Sequence, residues 1–304
     1  MGNLKTGEGH VVIEGPGAGN MSVGLDFDKR TDYLYVAGGY SGTARIYDGD
    51  SELVSEIILG ATDGTSSIND VVVTDDYAYF TDSFQNQFYA IPLSSNGELR
   101  DGPATVGTTI TYSGDFGYVE DNYNGNGIVA SDDGSMLIIA NTVLATLYLV
   151  DSTTGSSSAI DLGGVEIYGD GLLRRQNTLW VCQNGYGNTG PEAIYEVSLS
   201  ADWTCGSVAD RALTSELFDV PTTAARQYNG TLIPFAKGSK RSSYSFYFWY
   251  PPSLPAVDEA PDRFSFQDDL SSAESRDEVV ITVMLQLPIF VRGPLILCNT
   301  LVNT

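Results

Sequence analysis

The chain has 304 residues, of which 39 are acidic and 15 basic, for a formal net charge of −24. Phosphate backbones and anionic bilayer surfaces repel such a chain, which argues against nucleic acid and membrane as partners. Its one histidine, His10, excludes a His-rich metal site and leaves little for a His-based triad, while 42% apolar residues suffice for a large core in one domain or two.

Along the chain, Met1 to Gly9 is polar and lacks the apolar run of a secretory signal. Glycine and proline divide the rest near residue 230. Residues 1–230 hold 31 of the 33 glycines and 5 of the 12 prolines, whereas residues 231–304 hold 2 and 7. The first part is expected to fold as a unit. The second is read as an atypical Pro-rich and hydrophobic tail, foreign to the fold or disordered, of the kind that a frameshift or a retained intron would append. Its most apolar stretch, Val279 to Val291, is broken by Gln286 and Pro288 and is shorter than the ~18–20 residues of a membrane span. Cys182, Cys205 and Cys298 are too few for a disulfide framework and are read mainly as free thiols, with a Cys182–Cys205 bridge as the alternative.

Within residues 1–230 one unit recurs: a polar or small residue, a short apolar strand, an Asp- or Asn-rich turn and a second strand. Copies begin at Val23, Asn69, Asn126 and Asp170, and a fifth begins at Thr222, so the steps are 46, 57, 44 and 52 residues. Such a period matches the blade of a β-propeller, ~40–50 residues. Second strands are predicted at Tyr33–Ala37, Tyr77–Phe80 and Met136–Ala140, nearly continuous in apolar residues because both faces pack between blades. Third strands follow at Ala44–Asp48, Gln87–Ile91, Thr146–Asp151 and Ala193–Val197. Asp48-Gly49-Asp50, Asp132-Asp133-Gly134 and Ser152-Thr153-Thr154-Gly155 supply tight turns. Tyr79, Tyr148 and Trp180 are expected to pack between blades. The fold class is all-β, a β-propeller of about four full blades plus partial ones, with an irregular C-terminal tail.

In a propeller the first strand of each blade lines the central channel, and its starting residue faces the channel mouth. Asn69, Asn126 and Asp170 then bring two amide oxygens and one carboxylate around one axis. Oxygen donors suit a hard cation such as Ca²⁺. Asp170 could also act as a general base. The plainer alternative is that Asn69 and Asn126 only cap turns.

Asn69-Asp70-Val71-Val72-Val73, Phe80-Thr81-Asp82-Ser83, Asn126-Gly127-Ile128, Gly169-Asp170-Gly171-Leu172-Leu173 and Asp219-Val220-Pro221-Thr222-Thr223 together resemble the gluconolactonase/regucalcin-like (senescence marker protein) propellers, over roughly Gly15 to Gly230. The resemblance implies a six-bladed propeller and one divalent cation, Ca²⁺ or Zn²⁺, at the channel mouth. It implies Asn69, Asn126 and Asp170 as metal ligands, Asp170 as the catalytic base, and a small-molecule lactone or ester as substrate. The family's fourth ligand, a first-blade Glu in a Pro-Glu-Gly context, has no counterpart in phase. Glu14 lies nine residues before Val23 and fits an outer strand. The repeats therefore look cut short at both ends. The competing functions are a metal-dependent lactone hydrolase, a non-catalytic propeller that binds a partner on one face, and an inactive fragment of such a hydrolase. Low lysine content and an acidic Gly/Ser/Thr-rich surface lean toward an extracellular setting.

Overall fold

The computed structural model describes residues 21–185 and 190–215, with Val11, Ile13, Gly15, Pro16, Phe218 and 220–226, and backbone strands from Leu232 onward. Four antiparallel sheets follow one another along the chain. The first contains β1 (Leu25–Asp28), β2 (Tyr33–Ala37), β3 (Thr43–Tyr47) and β4 (Leu53–Ile58), in that spatial order. The second contains β5 (Ile68–Val73), β6 (Tyr77–Asp82), β7 (Gln87–Pro92) and β8 (Thr108–Thr111). In the third, β10 (Gly125–Ala130), β11 (Met136–Asn141), β12 (Thr146–Asp151) and β13 (Ser156–Ala159) are joined at the outer edge by β9 (Ser113–Gly114), which runs parallel to β13. The fourth contains β14 (Leu172–Arg175), β15 (Thr178–Gln183), β16 (Ala193–Leu199) and β17 (Gly206–Val208). A hairpin of β18 (Pro221–Arg226) and β19 (Leu232–Ala236) begins a fifth. The all-β propeller reading thus holds, with four full blades and a fifth begun. The domain boundary near residue 230 and most of the tail lie outside the described residues. No helix among the described residues is long and apolar enough to cross a membrane.

Alternation along each strand builds the blades into a stack. Successive side chains of a strand point to opposite faces, so each middle strand feeds two cores. Phe80 packs with Tyr35 and Ile46 of the first blade, whereas its neighbour Tyr79 packs with Ile128 and Leu137 of the third. Ile139 joins that second seam, while Ile138 and Ala140 pack with Leu179 and Val181 of the fourth blade. Cys182 and Ile194 turn the other way, onto Phe218 and Ala224. Tyr79 and Tyr148 lie buried in the second seam, and Trp180 packs in the last one while its Nε1 donates to Glu196 Oε2 at 2.9 Å.

The inner strands β1, β5, β10, β14 and β18 lie side by side around the channel. Two of the seams are closed by glycine. Gly24 N–H donates to the carbonyl of Asn69 at 2.7 Å, and Gly171 N–H to that of Thr222 at 2.8 Å. A Cβ at Gly127 would lie 2.1 Å from the Asp170 carbonyl oxygen, so a third seam also requires a bare backbone. At the same phase the second blade carries Asp70. There the Thr81 hydroxyl is inserted into the seam, accepting from Asp70 N–H at 3.1 Å and donating to the Asn126 carbonyl at 2.7 Å. The long step of 57 residues between Asn69 and Asn126 comes largely from the β7–β8 connection, which carries a 3₁₀ turn at Gly102–Ala104.

Cys182 is buried and Cys205 exposed, both as free thiols, so the alternative of a Cys182–Cys205 bridge is corrected: Cys182 lies inside β15, whereas Cys205 lies just before β17 and forms a backbone β-bridge with Asp161. Cys298 lies outside the described residues.

Candidate functional site

The channel mouth is built from two positions in each blade: the start of the inner strand and the residue just after the second strand. In the second blade, Asn69 Nδ2 donates to Ser83 Oγ at 2.8 Å, and that hydroxyl donates to the Gly125 carbonyl at 2.9 Å. The third blade repeats the device. Asn126 Nδ2 donates to Thr142 Oγ1 at 2.9 Å, which donates to the Gly169 carbonyl at 2.6 Å. Each relay therefore runs from one inner strand to the residue preceding the next blade's first channel residue. In the fourth blade Asn184 Nδ2 donates to Asp170 Oδ2 at 2.8 Å. In the first blade Val23 and Gly38 stand at these positions and carry no polar side chain.

Asn69, Asn126 and Asp170 are all buried. Through the Thr142 hydroxyl and the Gly169 carbonyl the Asn126 amide is joined to the residue before Asp170. Burial pushes the Asp170 carboxyl up to about 7, against the pull of hydrogen bonds from Asn184 and Asn126. The salt bridges among the described residues belong to Arg30 and Arg174, and none reaches Asp170. A buried carboxylate with amide N–H partners and no cationic side chain is chemically suited to a bound cation. With each Nδ2 committed to a hydroxyl, the oxygen is the end of the Asn69 and Asn126 amides left for a ligand. The donor set fits a hard divalent ion in kind. It depends on amides, because no cluster of three His, Cys, Asp or Glu residues able to hold a metal occurs among the described residues. Glu14 lies outside the described residues.

Sequence reasoning missed what surrounds this mouth. Tyr40 and Phe84 each follow the corner after a second strand, and Tyr123 precedes Asn126 by three positions. Their rings meet: Tyr40 and Phe84 stack with centroids 5.6 Å apart, Phe84 and Tyr123 lie 5.4 Å apart, and the Tyr40 and Tyr123 hydroxyls are 3.1 Å apart. The recurrence of an aromatic after the second-strand corner, at Tyr40 and Phe84, was the available signal.

Below the mouth the channel opens into a cavity of about 710 Å³ lined by the inner strands, with Asp26 and Asp70 in its wall. Both carboxylates bridge blades. Asp26 accepts N–H bonds from Phe27 at 2.8 Å and from Val73 of the next blade at 2.7 Å. Asp70 accepts from Val71 at 2.9 Å and from Ile128 of the third blade at 3.2 Å. Burial raises them to about 6 and about 7 respectively. At the far end Arg30 chelates Asp28 and donates to the carbonyls of Thr74 and Asp75.

Neither a protein-family model nor a curated protein matches the chain by sequence. Solved structures do match in shape. They include a virginiamycin B lyase from Staphylococcus aureus, at TM-score 0.51 and 12% identity over 75% of this chain and 66% of that one. They also include an auxiliary nutrient binding protein from Bacteroides thetaiotaomicron, at 0.53 and 14% over 82% and 61%, and a luciferin-regenerating enzyme, at 0.51 and 11% over 77% and 74%. The fold they share is the β-propeller. The chain spans just under two thirds of the lyase, and at such identities the likeness carries architecture alone.

Proposed function

We propose that the protein is a divalent-metal-dependent hydrolase of lactones or related esters, working at the channel mouth with Ca²⁺ or Zn²⁺ held by Asn69, Asn126 and Asp170. The relay repeated at Asn69 and Asn126, in phase with the buried Asp170 carboxylate that Asn184 holds, is the observation that carries this reading. A bound cation supplies Lewis-acid polarisation of the carbonyl and activation of water. Asp170, whose carboxyl lies at about 7, takes a proton from water as it adds to the carbonyl carbon and returns it to the leaving alkoxide as the ring opens. Asn184 holds the carboxylate in place. The Ser83 and Thr142 hydroxyls fix which end of each Asn amide faces the mouth.

The test is turnover of a lactone panel with and without Ca²⁺ or Zn²⁺, with cation binding followed by calorimetry. Asp170→Asn is expected to lower kcat by about 10²–10⁴-fold, the usual contribution of a positioned base. Unchanged turnover in that variant removes Asp170 from the chemistry. The second reading, a non-catalytic propeller that binds on this face, is favoured by the aromatic rings at the rim. It predicts cation or ligand binding without turnover; an inactive fragment gives neither.

A further inference from the structure

The segment 115–124 leads from β9 back to the channel and is fastened at its end by Asn124, which is fully buried. Asn124 Oδ1 accepts the Val119 N–H at 2.8 Å, while its Nδ2 donates to the carbonyls of Val119 and Asn122 at 2.8 Å and of Ser83 at 3.1 Å. The loop is therefore pinned to the very residue whose hydroxyl receives the Asn69 amide. From it Tyr118, 41% exposed, donates its hydroxyl to the Phe84 carbonyl at 2.8 Å, and Tyr123 packs on Phe84. Phe84 is itself held by its N–H, which donates to the buried Asp82 carboxylate at 3.0 Å.

A set of half-buried rings fixed next to a polar centre binds flat apolar groups, because ring faces and edges attract other rings beyond simple area burial. The charge around them selects further. The segment carries Asp115, Glu120 and Asp121, all exposed, and neither it nor the corners at residues 38–42 and 83–86 contains a Lys or Arg. An anionic ligand is repelled there, whereas a neutral or cationic one is not.

We propose that Tyr40, Phe84, Tyr118 and Tyr123 form a binding site for an aromatic ring, so that the ligands of this mouth are aryl-substituted, neutral or cationic molecules. As a statement about substrates, namely aryl lactones and esters, it rests on the hydrolase reading above; as a binding site it stands apart from it.

The experiment compares a phenyl-substituted γ-lactone with its methyl-substituted counterpart in turnover, and the matching non-hydrolysable phenyl and methyl lactams in calorimetry. The phenyl compound of each pair is expected to show a KM or Kd about threefold to tenfold lower, the range of an aromatic pair. Phe84→Ala and Tyr118→Ala should each shrink that preference, Phe84→Leu should shrink it while keeping an apolar side chain in the packing, and a benzoate-bearing analogue should bind more weakly than the neutral phenyl one. Equal affinities for phenyl and methyl lactams, or a preference untouched by Phe84→Leu and Tyr118→Ala, overturn the site whether or not lactones are hydrolysed. Phenyl-lactam binding that these variants weaken, in a protein that hydrolyses no lactone, upholds the site and brings down the hydrolase reading alone.

Discussion

Asp170, buried at the channel mouth, and Asp70, half-buried in the channel wall, are both carboxylates pushed up to about 7, yet their partners differ in kind. Asp70 accepts backbone N–H groups from its own strand and from the next blade, donors that have nowhere else to turn. Asp170 is held by the side-chain amide of Asn184. The first arrangement fastens two blades; the second holds a carboxylate ready without tying it to the fold. A displaced pKa does not by itself separate a catalytic carboxylate from a structural one, since burial produces both. The partners separate them.

The comparison is tested most severely by removing each carboxylate. Asp170→Asn should abolish most turnover while leaving the urea midpoint nearly in place. Asp70→Ala should strip the Val71 and Ile128 N–H groups of their acceptor and cost about 2 kcal/mol of stability, read from urea unfolding. Equal stability losses at the two positions would erase the distinction drawn between them. A similar cost, about 1–3 kcal/mol, is expected of Gly127→Ala, whose methyl group would collide with the Asp170 carbonyl.

A smaller change sharpens the account of the relay. Thr142→Val keeps the shape but removes the hydroxyl between the Asn126 amide and the Gly169 carbonyl. It should cost about 1 kcal/mol and weaken cation binding, because Asn126 loses the contact that orients its amide. Cation affinity unaltered in Thr142→Val would show that the relay does not orient a ligand.

Asp26 supplies the pH test. Its carboxyl stands at about 6 in the folded protein against 3.8 for an ordinary exposed aspartate, so the folded chain holds that proton more tightly than the unfolded one. Its contribution is therefore present below pH about 4 and is lost as pH rises through about 6. Thermal melts should show wild type losing stability over this window more steeply than Asp26→Asn, the difference between the two curves removing the general repulsion of an acidic chain. Parallel curves would mean that Asp26 does not titrate there. The smallest effect is chemical: a thiol reagent should label Cys205 in the native protein and reach Cys182 only on unfolding.

Sequence legibility followed burial. The second and third strands stood out because both faces lie in seams, as in Met136–Asn141, where every residue after Met136 is buried. The outer strands carried little such signal. Ser156–Ala159 and Thr108–Thr111 are short, polar and largely exposed, so nothing in their residue pattern distinguishes them from loops. Asn69, Asn126 and Asp170 were found through their shared phase in the repeat. Asp70 shares its phase with Gly24, Gly127 and Gly171, a departure readable from the same alignment of repeats, whereas its bond to Ile128 is not.

The sequence by itself determined the blade period and, to within two residues, where each inner strand begins, because alternation and turn chemistry act over a few neighbouring residues. Only the tertiary structure decided that the Asn126 relay ends on the residue before Asp170, that Tyr40, Phe84 and Tyr123 share one rim, and that Cys182 and Cys205 stay apart. Those contacts depend on how far each blade turns relative to the last. That angle is set by side chains packed across whole seams, and no local run of residues encodes it.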